Sequence, residues 1–521
     1  MKKLVIVLFV IFPLVTLIGA PVIWSTPPDT LSSVNQNASD PQIAIDSSGN
    51  ALAIWIENNG LKSRKKSVNG NWSSQTDILS NSGASSPKLV VDPSGNATAI
   101  WVENGIVNVS SMPFNGSWSN PVCLSGAGAL SPQISVDSQG NIATVWSING
   151  LIQSATKLFN GSWPMVPDTI SSAGSIPQVA IGANGNVVAV WNAVTSGVYT
   201  IYSANKLVNG SWSASQAISS SSYNSIYPII GVDLNGNAAA AWIQYTGSDI
   251  NQSYLIIQSA TMPMNGSWTL STVAEGGIYN STNPFGRILF DGSGNGIAIW
   301  DISSDGYSFS IQASTKLAPN AWGIPQNLGC GLYSFAADVS ITSVGNIFIA
   351  YMYFDPNTAS FVIQCTECDI NANKQGFWTA PITISSGASN GYPRIAASYA
   401  GNGTNNMAVV WIQSDGTNDT VQSVTGTQSI VQPPMHLSLT QSCNDFFIFK
   451  EYYNTLSWEP SPSPEISYYL IFRNGFLIYA ADSSVFQFID HNRVQNGSVT
   501  YGIATVDQDN MQSLVAIISF P

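Results

Sequence analysis

Two histidines, His436 and His491, are the only ones in the 521-residue chain, and both fall after residue 430. A Ser-His-Asp relay and a histidine-ligated metal are therefore excluded from residues 21–430. What remains there for chemistry is carboxylate, amine and guanidinium. Asp338 lies between Arg287 and Arg394 along the chain, and the spacing puts Asp301, Asp305 and Asp355 in longer connecting loops close by. Carboxylates alone can cleave a glycosidic bond, one protonating the leaving oxygen while the other activates water or attacks the sugar. Only three arginines, Arg64, Arg287 and Arg394, precede residue 431.

The five cysteines, Cys123, Cys330, Cys365, Cys368 and Cys443, are an odd number and give no disulfide framework. Cys365-Thr366-Glu367-Cys368 has the spacing of half a zinc site, but no second pair or histidine cluster accompanies it. On a strand, a three-residue spacing sends the two thiols to opposite faces. No metal or cofactor is expected.

The elements that must position these residues are written in a repeat. Asp46-Ser47-Ser48-Gly49-Asn50-Ala51-Leu52-Ala53-Ile54-Trp55 returns at intervals of 45 to 60 residues, ending at Trp101, Trp146, Trp191, Trp242, Trp300, Tyr351 and Trp411. A period of that size, built from short strands, predicts an all-β fold, the β-propeller. Each unit reads as a first strand such as 41–46, a Gly-Asn turn, and a second strand such as 51–55. The second strand is nonpolar on both faces and so is buried between neighbouring units. A more polar third strand follows, such as 152–157. Asn69-Gly70, Asn115-Gly116, Asn160-Gly161, Asn209-Gly210 and Asn265-Gly266 then predict two-residue type I′ hairpins. A second tryptophan series, from Trp72 to Trp378, opens the fourth strand.

The unit beginning at Pro393 lacks that second tryptophan, and the stretch from Trp24 to Ser32 matches the missing strand. A ring closed by such an exchange has no exposed edge. Eight units predict eight blades, or seven if residues 332–384 do not form one. The sixteen tryptophans are all used by the two series and by Trp458, so none is left over for stacking a sugar. The repeat residues Asp46, Asp92, Asp137, Asp233 and Asp291 are expected to cap their own turns. Calcium binding is the alternative, weakened by Gly182 and Thr342 at the equivalent place.

Four residues before each repeat Asp, the innermost strand begins. These positions are Gln42, Lys88, Gln133, Gln178, Ile229, Arg287 and Asp338, with Arg394 in the last unit. They vary while the frame repeats, as a binding face would, and as a solvated rim also would. The seven polar ones are the candidate ligand-binding residues: Gln42, Lys88, Gln133, Gln178, Arg287, Asp338 and Arg394.

At the N-terminus, Lys2-Lys3, an apolar run from Leu4 to Ile18 and Gly19-Ala20 predict an export signal over 1–20. Pro21 disfavours cleavage after Ala20, which leaves an uncleaved anchor as the other reading and the only route to a membrane. The formal net charge of −13 argues against nucleic-acid or anionic-membrane partners.

The last 91 residues, 431–521, carry Leu456-Ser457-Trp458, then Tyr468-Tyr469-Leu470-Ile471-Phe472, then Tyr501 ahead of Val506-Asp507. In these marks the segment resembles a fibronectin type III domain, which implies a β-sandwich acting as spacer or adhesive platform. Residues 21–430 resemble exported bacterial propellers at the level of sialidase-type architecture. They depart from it in the repeat, where the Trp lies six residues after the Gly, at the end of the next strand, instead of close behind the Gly as in the sialidase box Ser-x-Asp-x-Gly-x-Thr-Trp. A sialidase also brings three arginines to the sugar carboxylate beside a Tyr nucleophile, whereas Arg64 falls on a rimward strand. The expectation is an exported, non-catalytic binding or adhesion protein with an extracellular glycan or protein as partner. The alternatives are a carboxylate-dependent glycoside hydrolase and a structural envelope component.

Overall fold

The computed structural model describes residues 22–520 except 184, 246–254, 275–285, 304–308, 319–320, 329–333, 371–377, 386–390, 402, 430, 447–449, 464, 475, 509–512 and 514. The expected export segment, Cys330 and Asp305 lie outside the described residues. Two compact units are present, one of Ile23–Thr427 and one containing Gln428–Pro521. Among the described residues no helix is long and apolar enough to cross a membrane.

The first unit is all-β and consists of antiparallel sheets, seven of them four-stranded among the described residues, an arrangement consistent with a β-propeller. In each, consecutive strands pair in chain order. One sheet runs Ala38–Ile45, Ala51–Glu57, Gly60–Lys66 and Asp77–Ile78. Residues 334–383, which the sequence left open, form such a sheet from Ser334–Ile341, Asn346–Asp355, Ser360–Asp369 and Ile382–Thr383. The last sheet combines Arg394–Tyr399, Thr404–Ser414 and Asp419–Ser429 with two early segments. Trp24 pairs with Gly426 and Thr30 with Gln422. First strands pack beside the first strands of neighbouring sheets, and Arg394–Tyr399 packs beside Ala38–Ile45.

The second strands bury both faces, as their alternation of small and branched residues requires. Trp55, Trp101, Trp146, Trp191, Trp411 and Tyr351 have no exposed surface. The fourth-strand tryptophans sit between sheets, and Trp118 Nε1 donates to Ser63 Oγ of the preceding sheet at 2.8 Å.

Turn capping by the repeat Asp is what the hydrogen bonds show. Asp92 Oδ1 accepts from Ser94 N and Asn96 N, both at 2.9 Å, and Oδ2 accepts from Asn96 Nδ2 at 2.8 Å. Asn96 Oδ1 in turn accepts from Phe114 N at 3.1 Å, so one carboxylate fixes two successive turns.

The predicted hairpins need a correction. Gly116 N donates to Pro113 O at 2.8 Å, and only Asn115 of the Asn-Gly pair takes a positive φ, 57°. This turn starts one residue earlier than a type I′ hairpin centred on Asn115-Gly116 would. Two-residue loops with both φ positive occur instead between second and third strands, at Asn58-Asn59, Asn104-Gly105 and Asn149-Gly150.

The second unit has a three-stranded sheet, Met435–Asp445, Lys450–Glu459 and Gln487–Arg493. Its other sheet is Phe476–Asp482, Ile466–Arg473, Val499–Asp507 and Ala516–Phe520. The two share a core of Leu456, Trp458, Tyr469, Ile471, Tyr501 and Ile503. Each histidine of this unit meets a glutamate, His436 with Glu459 at 2.8 Å and His491 with Glu451 at 2.9 Å.

Candidate functional site

A local irregularity in the first strands creates the site. In six of them the register slips by one residue, between Ser39 and Gln42, Ser85 and Lys88, Leu130 and Gln133, Ser175 and Gln178, Ile226 and Ile229, and Phe335 and Asp338. Proline explains five of these, because Pro41, Pro87, Pro132, Pro177 and Pro228 have no N–H for the ladder. Such a bulge re-aims the side chains that follow it.

All eight of the predicted positions line one cavity of about 260 Å³: Gln42, Lys88, Gln133, Gln178, Ile229, Arg287, Asp338 and Arg394. Ile176 and Tyr227 line it as well and were missed by the sequence reading. Both belong to the X-Pro step two residues before the innermost position, and that recurring dipeptide was the available signal. Asp301 and Asp355, expected in loops, lie instead in the strands Gly296–Ser303 and Asn346–Asp355, and Asp301 is buried. The strand pattern continues through Trp300 without a break, which is why Asp301 cannot sit in a loop. Neither lines the cavity.

Asp338 is the buried carboxylate of the cavity, 2% exposed. Its Oδ1 lies 3.2 Å from Arg287 Nε, and its Oδ2 accepts from Ile395 N at 3.0 Å. The backbone bond ties it to the adjacent sheet, which holds the carboxylate in one place. Lys88 is pushed down to about 8, first by burial, then by the charges of Arg394 and Arg287, while Asp338 and Asp40 pull it up. Arg394 is also pushed down, chiefly by burial, with Asp338 opposing. A guanidinium keeps its charge regardless. Lys88, Arg287 and Arg394 thus bring three positive charges to one cavity in a chain whose net charge is −13.

Arg64 does not join them, since its Nε donates to Thr76 Oγ1 at 3.1 Å on a third strand. The Cys365 and Cys368 thiols are both buried, and burial pushes each well above the ordinary thiol value. Among the described residues no cluster of His, Cys, Asp and Glu is suited to hold a metal ion.

No protein-family profile matches the chain, and no curated relative does. Solved structures share its general form. A Dyadobacter fermentans protein of unknown function is 10% identical, with a TM-score of 0.36 over 76% of this chain and 96% of that one. The polysaccharide lyase Uly1 is 8% identical, with a TM-score of 0.41 over 75% and 89%. The α-L-arabinanase of Penicillium chrysogenum, solved with arabinobiose, is 12% identical, with a TM-score of 0.34 over 58% and 93%. These likenesses reach no further than the fold. Two of these neighbours, the lyase and the arabinanase, are named for action on glycans, which runs against the expectation of a non-catalytic binding or adhesion protein and toward its glycan-active alternative.

Proposed function

We propose that the chain is an exported glycan-active enzyme that hydrolyses a glycosidic bond beside a carboxylated sugar of an extracellular glycan. In this reading residues 21–430 form an eight-bladed propeller closed by the segment around Trp24. Residues 431–521 form a fibronectin type III-like sandwich, and the export signal over 1–20 delivers the chain. The single observation that supports the activity is a buried carboxylate, Asp338, set among three cations in one cavity.

Each charged group has a task in this reading. Arg394, with the donors Arg287 does not spend on Asp338, receives the carboxylate of the sugar, a pairing suited to guanidinium forks. Asp338 takes a proton from the water that attacks the anomeric carbon. As the bond from that carbon to the leaving oxygen breaks, the Lys88 ammonium gives the oxygen its proton; solvent then returns a proton to Lys88 and takes the one held by Asp338. A donor pushed down to about 8 is suited to that role near neutral pH.

The direction of the pH dependence follows from the lysine. Only protonated Lys88 can donate, so kcat/KM, which reports the free enzyme, is expected to fall roughly tenfold per pH unit above about 8. A pH–rate profile of the wild type and of Lys88→Gln checks it, the variant being slow and lacking that limb. A panel of fluorogenic glycosides tests the activity itself. Turnover is expected for members bearing a carboxylate on the glycone and not for neutral ones; silence across all the acidic members would end this reading.

A further inference from the structure

The ring of residues just before each innermost proline is held in an unusual backbone conformation. Asp40, Ser86, Ser131, Ile176 and Tyr227 have φ of 50°, 52°, 53°, 51° and 55°. A positive φ is uncommon for any residue but glycine and is an outlier for a β-branched or bulky one. Three of the five sheets meet the demand with a small polar side chain, Asp40, Ser86 or Ser131. Folding the bulge therefore does not call for isoleucine or tyrosine. Residues kept against such strain cluster where a ligand is handled, and these two both line the cavity.

Their place around the ring is also uneven. The cavity's charges come from the first strands of the second, sixth, seventh and eighth sheets, as Lys88, Arg287, Asp338 and Arg394. The third, fourth and fifth sheets supply Gln133, Gln178 and Ile229, and Ile176 and Tyr227 belong to this uncharged arc. Tyr227 is fixed from behind, since it packs against a cluster containing Ile243, Ile257 and Trp300. A held aromatic ring beside primary amides fits a pyranose, whose C–H face stacks on the ring while its hydroxyls meet the amides.

We propose that Ile176 and Tyr227, with Gln133 and Gln178, form a second subsite that takes an uncharged sugar linked to the acidic one. This rests on the acidic-sugar reading above and adds to it the identity of the neighbouring unit.

Calorimetric titration with glucuronic acid, and with a thio-linked disaccharide of glucuronic acid and galactose that resists hydrolysis, separates the two ideas. The wild type is expected to bind the disaccharide at least tenfold more tightly than the monosaccharide. Tyr227→Ser, carrying the residue that two other sheets place there, should remove that advantage and leave monosaccharide affinity within twofold. Tyr227→Phe should keep the advantage, and Ile176→Ser should reduce it, which guards against misfolding of any one variant. An advantage undiminished in Tyr227→Ser, or absent from the wild type, would overturn the subsite while leaving the acidic-sugar reading intact. Failure of both sugars to bind would overturn the two together.

Discussion

Asp338→Asn is expected to lower turnover of an acidic glycoside by roughly 10²–10⁴-fold, the range of a lost general base. The substitution keeps shape and volume but removes the proton acceptor. kcat and kcat/KM should fall together, because the interaction lost belongs to the transition state and not to ground-state binding. Some stability goes with it. If the amide nitrogen replaces Oδ2, the buried Ile395 N–H loses its acceptor, at about 1–3 kcal/mol. Steady-state kinetics beside a denaturation midpoint separates the two effects. A folded variant within threefold of wild-type turnover would remove Asp338 from the chemistry.

The largest effect on stability is expected at the second-strand tryptophans. Trp101 has no exposed surface, packs against Ile54, Ile56 and Leu61 of the preceding sheet, and donates from Nε1 to Glu103 at 2.9 Å. Trp101→Ala leaves a cavity between two sheets and a glutamate without its donor. The expected cost is about 3–5 kcal/mol, a large share of the 5–15 kcal/mol typical of a folded domain. Guanidinium denaturation followed by fluorescence reads it. Trp118→Phe, which loses the bond to Ser63 but keeps most of the packing, should cost roughly 1 kcal/mol. Equal midpoints for the two variants would show that inter-sheet packing does not hold the unit together.

Much of this organisation was legible because the repeat carries its own register. Counting back four residues from Asp92 to Lys88, or from Asp291 to Arg287, needs no structure, and those side chains do face one cavity. The pairing of Trp24 with Gly426 was legible for a related reason, since the array is short of one strand at its end and has a matching one at its start. The hairpins were misread because Asn-Gly occurs in two places per repeat. The same dipeptide gives a type I′ loop at Asn104-Gly105, while at Asn115-Gly116 only the Asn has positive φ. Propensity fixes which residues turn, and the length of the paired strands fixes how. Ile176 and Tyr227 were missed because neither residue type signals the positive φ it adopts. Only the recurrence of X-Pro at one place in the repeat does. What was out of reach is the pairing inside the cavity, the 3.2 Å approach of Arg287 to Asp338 and the bond Asp338 accepts from Ile395 N, because position in the repeat does not fix side-chain distances.

The most direct test compares an acidic glycoside with its methyl ester in wild type and Arg394→Gln. Esterification removes one charge and changes little else. Loss of a charge-assisted hydrogen bond should give the wild type a preference for the acid of about 10–100-fold in kcat/KM. In Arg394→Gln that preference should shrink tenfold or more, mainly through slower cleavage of the acid. If both substrates are cleaved equally well by the wild type, or the preference survives intact in Arg394→Gln, the cavity does not read a carboxylate.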